Sequence, residues 1–462
     1  KPMLEFSLAP RRDEMTEALC KILSIESVKS APQGNMPYGK GVFDALIKTL
    51  GIAEKLDFDS VNFYSHLGYV EYGDGDELFG IVTHLDVVPA GDGWTVPPFA
   101  GTVKDGRVYG RGAIDDKGPA VAALFALSAI KENCISLNKR VRIIFGCDEE
   151  SGWSDMDFYK ANGGEIPNMA ISPDAEFPII NAEKGLLQLR AVKKAYPGEG
   201  GDGLTVESLQ AGERVNVVPA VCTCKISGNT KAVWQMMDLF NEDSPVKIAA
   251  EEAADGLVLT AHGVSAHGSK PEEGRNALAF MILFLNTLPL KKNAVSDAVY
   301  ELAEYIGMQT DGTHLGIAAS DESGALSLNL GYFRTTGEGV EAGIDIRYPI
   351  HTEKETVLSA VRSRMKGLSI EEMFSRPPHY VPEDSPLVVG LKQAYEEVTG
   401  EKAYCMTMGG ATYARAFPNS VAFGALFPGQ QGTEHQADEY IEIDSLLKTA
   451  DIIANAILVL CK

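Results

Sequence analysis

LFGIVTHLDVV, residues 78–88, begins as an apolar run and turns polar at its far end. Such a run reads as a buried strand whose last residues leave the core. Working outward, residues 119–131 (PAVAALFALSAIK) are apolar nearly all round, the pattern of a buried helix. Residues 140–145 (RVRIIF) read as another strand, running straight into Gly146-Cys147-Asp148-Glu149-Glu150. Met169 to Ile171 reads as a short strand running into Ser172-Pro173-Asp174-Ala175-Glu176, and Gly41 to Leu50 as a helix ending near Gly51. Strands separated by helical segments argue for an α/β domain with a mixed, largely parallel sheet flanked by helices. Binding residues in such sheets collect beyond the carboxyl ends of the strands.

From about residue 186 the texture changes. Gly256 to Ala261 followed by Asn276 to Leu288, and Ala342 to Ile350 followed by Glu355 to Met365, look like two strand–helix units. The stretch Ser375 to Pro386 carries four prolines and reads as a linker. Beyond it come a helix (Leu387 to Thr399), a short strand (Ser420 to Ala425) and a final helix (Asp444 to Leu460). The expected organisation is an outer α/β domain in two parts, 1–185 and 381–462, interrupted by an inserted α+β domain over 186–380.

The chain has 462 residues, 45% hydrophobic and 23% charged, ordinary for a folded protein and unlike a disordered or fibrous one. Its 41 basic and 64 acidic residues leave a net charge of −23, which disfavours nucleic acid and anionic membranes as partners. No apolar run reaches the roughly 18 residues of a membrane span. Seven cysteines without a CxxC pair disfavour a thiolate metal site and suit a reducing, cytoplasmic setting. Cys222 and Cys224 alternate along a predicted strand as small buried hydrophobes.

Five features at predicted strand ends or in loops share one chemistry. His84 and Asp86 would face the same way on an extended segment, a metal ligand beside the group that orients its ring. Asp115 and Asp116 stand just before the buried helix, where two adjacent carboxylates either cap the helix or bind a cation. Asp148, Glu149 and Glu150 would repel one another unless a cation or solvent relieved them. Asp174 and Glu176 lie at another strand end, and His435 lies far along the chain after a Gly/Pro loop. Two imidazoles and several carboxylates, without sulfur, suit zinc, manganese or cobalt; a bridging carboxylate suits two metals.

The chain resembles the zinc-dependent co-catalytic metallopeptidases, the family of aminoacylase, carnosinase and succinyl-diaminopimelate desuccinylase, and within it the PepV-type dipeptidases. The matching stretches are THLDVVPAGDGW (83–94), YGRGAIDDKGP (109–119), DEES (148–151), SPDAEFPIINAEKG (172–185), ERVNVVPA (213–220), SAHGSKPEEGRNA (265–277), DIRYP (345–349), GGATYAR (409–415) and EHQADE (434–439). The resemblance implies that His84 and Asp174 hold one metal, Glu150 and His435 the other, and that Asp115 bridges both through a cis bond to Asp116. It implies Glu149 as general base, Asp86 as the group orienting His84, and His267 as oxyanion stabiliser. Asn216 and Arg347 would meet the substrate's backbone and C-terminal carboxylate, and Gly409 and Gly410 would line the site. The inserted domain becomes a lid over the catalytic domain. The implied protein is a metal-dependent dipeptidase with two divalent ions, zinc favoured, short peptides as substrates, and one chain making one site as a monomer. A deacylase of N-acyl amino acids and a catalytically dead binding homologue are the alternatives. His66, His262, His314, His351 and His379 match no ligand position.

Overall fold

The computed structural model describes residues 6–198 and 200–462. It divides into two compact units. The first holds residues up to Ala182, Tyr380 to Met406, and Ala411 to Lys462; the second holds Glu183 to His379 and Thr407 to Gly410.

In the first unit, β1 (Ser60–Phe63), β2 (Leu67–Tyr72), β3 (Leu78–His84), β4 (Arg140–Gly146) and β5 (Met169–Ser172) lie in the order β1-β2-β4-β3-β5, followed by Ser420–Ala422. The outer pairs β1–β2 and β2–β4 are antiparallel, while β3 runs parallel to both β4 and β5. The centre is therefore parallel, and β3 is buried at all seven residues, as its continuous apolar run requires. Helix α1 (Arg12–Leu23) buries Met15, Ala18, Leu19, Ile22 and Leu23, the i, i+3, i+4, i+7, i+8 stripe of an amphipathic helix. Helix α3 (Lys117–Glu132) is buried from Lys117 through Ile130 and packs against the C-terminal helix, Ile443–Cys461. Helix α2 (Lys40–Lys55) continues one turn past Gly51, where the sequence predicts its end. Ile52 and Ala53 are buried there, and that burial outweighs the roughly 1 kcal/mol that a mid-helix glycine costs.

Beside a two-stranded ribbon of Ser320–Asp321 and Gly324–Ala325, the second unit is built on one eight-stranded antiparallel sheet with helices. Its strands are β6 (Gly185–Lys194), β7 (Leu204–Ala211), β8 (Val221–Gly228), β9 (Ile248–Ala253), β10 (Gly256–His262), β11 (Ser327–Thr336), β12 (Gly339–Tyr348) and β13 (Ser369–Arg376). Their order, β9-β10-β8-β7-β11-β12-β6-β13, has two like halves. In each, a hairpin (β7–β8 or β11–β12) starts at the centre and a helix (α4, Lys231–Asp243, or α7, Lys354–Arg364) leads to the edge strand. The halves meet where β7 pairs β11 at Gln210–Arg334 and Ala211–Phe333. Between them α5 (Ala277–Leu285) and α6 (Ala294–Tyr305) add to the core. Cys222 and Cys224 both point into that core, and all seven cysteines are free thiols. The proline-bearing stretch from Ser375 is strand as far as Arg376, since β13 still pairs β6 there. Among the described residues no helix is long and apolar enough to cross a membrane.

Leu124 sits at the centre of α3 with no exposure. Leu124→Ala should lower the stability of the first unit by about 2–5 kcal/mol, read as an earlier transition in chemical denaturation.

Candidate metal centre

Beyond the carboxyl ends of β4, β3 and β5, neighbours in the sheet, four loops bring carboxylates together with two imidazoles. His84 ends β3 and is fully buried. Its Nε2 lies 2.9 Å from Asp115 Oδ1, 3.4 Å from Asp174 Oδ1 and 3.8 Å from Glu149 Oε2. His435 Nε2 lies 3.0 Å from Asp115 Oδ2 and 3.1 Å from Glu150 Oε1. Asp115 thus turns one oxygen to each ring. Donor atoms come within 4.8 Å of one another in three trios: His84, Asp115 and Asp174; Asp115, Glu150 and His435; His84, Glu149 and Glu150. His435 sits in a left-handed backbone conformation, φ 62°, with a half-exposed side chain. A residue of that kind is uncommon at positive φ and marks a constrained turn.

The acids are fixed by their neighbours. The Asp115–Asp116 peptide bond is cis. Asp116 makes no capping bond to α3; its Oδ2 accepts the His84 main-chain N–H at 3.2 Å. Asp86 meets the His84 ring chiefly through its own carbonyl, 2.8 Å from Nδ1, with its carboxylate at 3.4 Å. That carboxylate accepts the N–H of Glu149 at 3.1 Å and of Glu150 at 3.0 Å, so one residue holds the ring with its carbonyl and the acidic loop with its side chain. Buried Glu439 pairs with Arg111 at 2.8 Å and accepts the N–H groups of Ile114 and Asp115. Asp155 accepts the N–H of Cys147 and the hydroxyl of Tyr413, whose ring stands edge-on to His84 with centroids 6.1 Å apart. Asp148 is tied to Lys29 at 2.7 Å and to the Ser154 N–H and hydroxyl. Glu439 and Asp148 fall inside the acidic motifs, and Arg111 and Tyr413 inside the stretches 109–119 and 409–415, but nothing local gives their partners: Arg111 meets Glu439 across 328 positions and Tyr413 meets Asp155 across 258.

The cluster is short of positive charge. Burial, reinforced by neighbouring carboxylates, pushes Glu149 well up and Asp174 to about 8. Glu150 is raised by burial and by Asp115. Burial opposes charge on His84 as well, yet Asp174, Asp115 and Asp86 together lift it well above its usual value. Hydrogen bonds to Asp115 and Glu150 lift His435 to about 11. Carboxylates that hold protons near neutrality beside imidazoles that will not release them are what divalent cations would relieve. The oxygen and nitrogen donors fit such ions, and no thiolate competes.

In the second unit, Arg347 gives Nε and Nη2 to buried Asp345 at 2.7 and 3.1 Å, and Nη1 to the Gly409 carbonyl at 2.7 Å. These bonds use three of its five N–H groups among the described residues. His267 Nδ1 lies 2.7 Å from Ser269 Oγ and accepts the Ser269 N–H at 3.1 Å. Asn216 lies half-buried between β7 and β8, while Gly410 follows Gly409 in the short Thr407 to Gly410 segment. Of the other histidines, His66 stacks on Phe158 at 3.6 Å, and His351 joins exposed Glu322 and Asp321.

The raised acids make a pH prediction. A carboxyl whose folded pKa lies above its unfolded value favours the fold while protonated and loses that contribution as pH rises. Asp174, raised mainly by burial to about 8, and Asp155 and Glu439, raised by burial to about 7, share this sign. Lys117, lowered by burial to about 7, acts in the opposite sense only above that pH. Chelated protein should therefore lose thermal stability between about pH 5 and pH 7, and saturating zinc should flatten the slope, both read as Tm by calorimetry.

Residues 80–459 match the model of peptidase family M20/M25/M40. The protein YtjP of Bacillus subtilis is 39% identical over 451 residues, covering 97% of this chain and 96% of its own. The Beta-Ala-Xaa dipeptidase of Lactobacillus delbrueckii is 34% identical over 454 residues, 96% of this chain and 95% of its own. Among solved structures, human carnosine dipeptidase 1 superposes with a TM-score of 0.59 at 15% identity, over 98% of this chain and 97% of its own. The aminoacylhistidine dipeptidase of Vibrio alginolyticus does so with 0.60 at 13% identity, over 98% and 96%. By the extent of these matches the chain belongs to peptidase family M20/M25/M40.

Proposed function

We propose that the chain is a metal-dependent dipeptidase that hydrolyses the peptide bond of very short peptides at a pair of divalent cations bridged by Asp115. The observation that carries this reading is the spread of the two Asp115 oxygens, 2.9 Å from His84 Nε2 and 3.0 Å from His435 Nε2. Family membership and the relative named as a Beta-Ala-Xaa dipeptidase support the substrate class. His84 and Asp174 would hold one cation, and Glu150 and His435 the other. Imidazole and carboxylate donors favour zinc, with manganese or cobalt also accommodated. Such a pair, when bound, polarises the scissile carbonyl and acidifies the attacking water.

The chain's own groups do the rest. Glu149 accepts a proton from the water and returns it to the leaving amine, while the water's oxygen joins the new carboxylate. Burial and the neighbouring Asp174 raise its proton affinity, which suits a base. His267 accepts a backbone N–H at Nδ1, so its neutral ring carries the proton on Nε2, the tautomer that can donate to an oxyanion. Arg347, held side-on by Asp345, offers its remaining N–H groups to a C-terminal carboxylate, which makes the enzyme an exopeptidase. Asn216 meets the substrate backbone, and Gly409 and Gly410 offer backbone N–H groups. The inserted domain, residues 186–380, with its two like halves, acts as a lid, and the enzyme works as a cytoplasmic monomer. The free thiols agree with a reducing compartment.

Removing metal with a chelator should abolish dipeptide hydrolysis, and zinc, cobalt or manganese should restore it; full turnover in protein shown to be metal-free by elemental analysis would refute the reading. Glu149→Gln should keep both metals and lose on the order of a hundredfold or more in kcat, whereas Glu150→Gln should also lose metal from one position. For the self-contained site, His267→Ala and Glu149→Gln protein are mixed. No activity should return; recovery would mean that subunits exchange histidines.

A further inference from the structure

The carbonyls that flank Asn216 have one shared partner. Asn329, on β11 and 1% exposed, donates from Nδ2 to the Val215 carbonyl and to the Val217 carbonyl, each at 3.0 Å. Two carbonyl acceptors require the amino end of the amide, which settles its orientation. Its Oδ1 is buried and meets no donor among the described residues. The amide is therefore turned wholly to the service of this loop. The loop also lies directly on β11, since a Cβ at Gly331 would come within 2.2 Å of the Val215 oxygen.

The third carbonyl of the loop is held from the other side. Gly268 N–H donates to the Asn216 carbonyl at 2.7 Å, and Val218 N–H to the Ala266 carbonyl at 2.9 Å. Val217 and His267 form an isolated antiparallel bridge between these bonds. A Cβ at Gly268 would reach 2.9 Å from the Asn216 backbone, so the two segments touch without space for a side chain. Three consecutive carbonyls, at 215, 216 and 217, are thus fixed, and the segment bearing Asn216 is fastened to the segment bearing His267.

We infer that Asn329 is a positioning residue that sets Asn216 and His267 as one rigid pair through its double hydrogen bond to the carbonyls of Val215 and Val217. The inference rests on the reading above that Asn216 and His267 meet the substrate. Asn329 itself touches neither substrate nor cation. It acts by fixing where two donors stand, and a displacement of about 1 Å in such donors costs on the order of a hundredfold in rate.

The test is a pair of double-mutant cycles on zinc-loaded enzyme, Asn329→Ala combined with Asn216→Ala and with His267→Ala. Asn329→Ala should lower kcat by about 10- to 100-fold while KM moves less than about threefold, with metal content unchanged. Each double variant should lie within about threefold of Asn216→Ala or His267→Ala alone, because the second group has already lost its effect. Losses that multiply in both cycles, or an Asn329→Ala enzyme within about threefold of wild type, would overturn the inference. If Asn329→Ala does not accumulate as folded protein, Asn329→Ser takes its place; its hydroxyl can serve one carbonyl, and a smaller kcat loss with the same non-additivity is expected. A silent Asn216→Ala would remove the role given to Asn216 and leave the inference to be decided by the His267 cycle.

Discussion

The central constraint is electrostatic. Asp115, Glu149, Glu150 and Asp174 gather around two imidazoles at the ends of parallel strands, with His84 fully buried among them. Such a cluster opposes folding unless its geometry is imposed from outside. Much of the first unit supplies that imposition. The continuous burial of β3 fixes His84, and helix α3 together with the Arg111–Glu439 pair fixes the Asp115 turn. Asp86 and Asp155 take up the N–H groups of the loop after β4, so the acids there have no freedom to swing apart. The fold holds together charges that would separate if left to themselves, and it gains a site that attracts cations.

What could be read in the sequence was what is local. An apolar strand that ends in acids announces both its burial and its exposed end, as RVRIIF before Asp148-Glu149-Glu150 does. Helix α3 was legible because apolar residues on every side leave no other reading, and Cys222 and Cys224 because alternation is a strand's own period. The candidate ligands were legible as residue types at strand ends, with their roles supplied by resemblance. Their supports were not legible. Arg111 and Glu439 are 328 positions apart, and Tyr413 reaches Asp155 across 258. Helix α2 passes Gly51 because of burial that no window around the glycine reveals. Asp116 reads as a cap or a cation ligand in isolation, yet its carboxylate goes to the main chain of His84.

The second unit follows a different rule. Its eight-stranded sheet is antiparallel throughout; Arg347 is clamped by Asp345, and the main chain on either side of Asn216 by Asn329 and at Asn216 by Gly268. The Arg347 charge is balanced by Asp345, so this side chain needs no ion to hold its place.

The two imidazoles differ in one respect that has a kinetic consequence. His84 is sealed from solvent, whereas the His435 side chain is 52% exposed on a turn at the rim. On the reading proposed above, an ion held by His435 would face water, while one held by His84 would be enclosed by Asp115 and Asp174. With the proposed pair of cations bound, the outer one would exchange first, and partial chelation would yield a half-loaded protein.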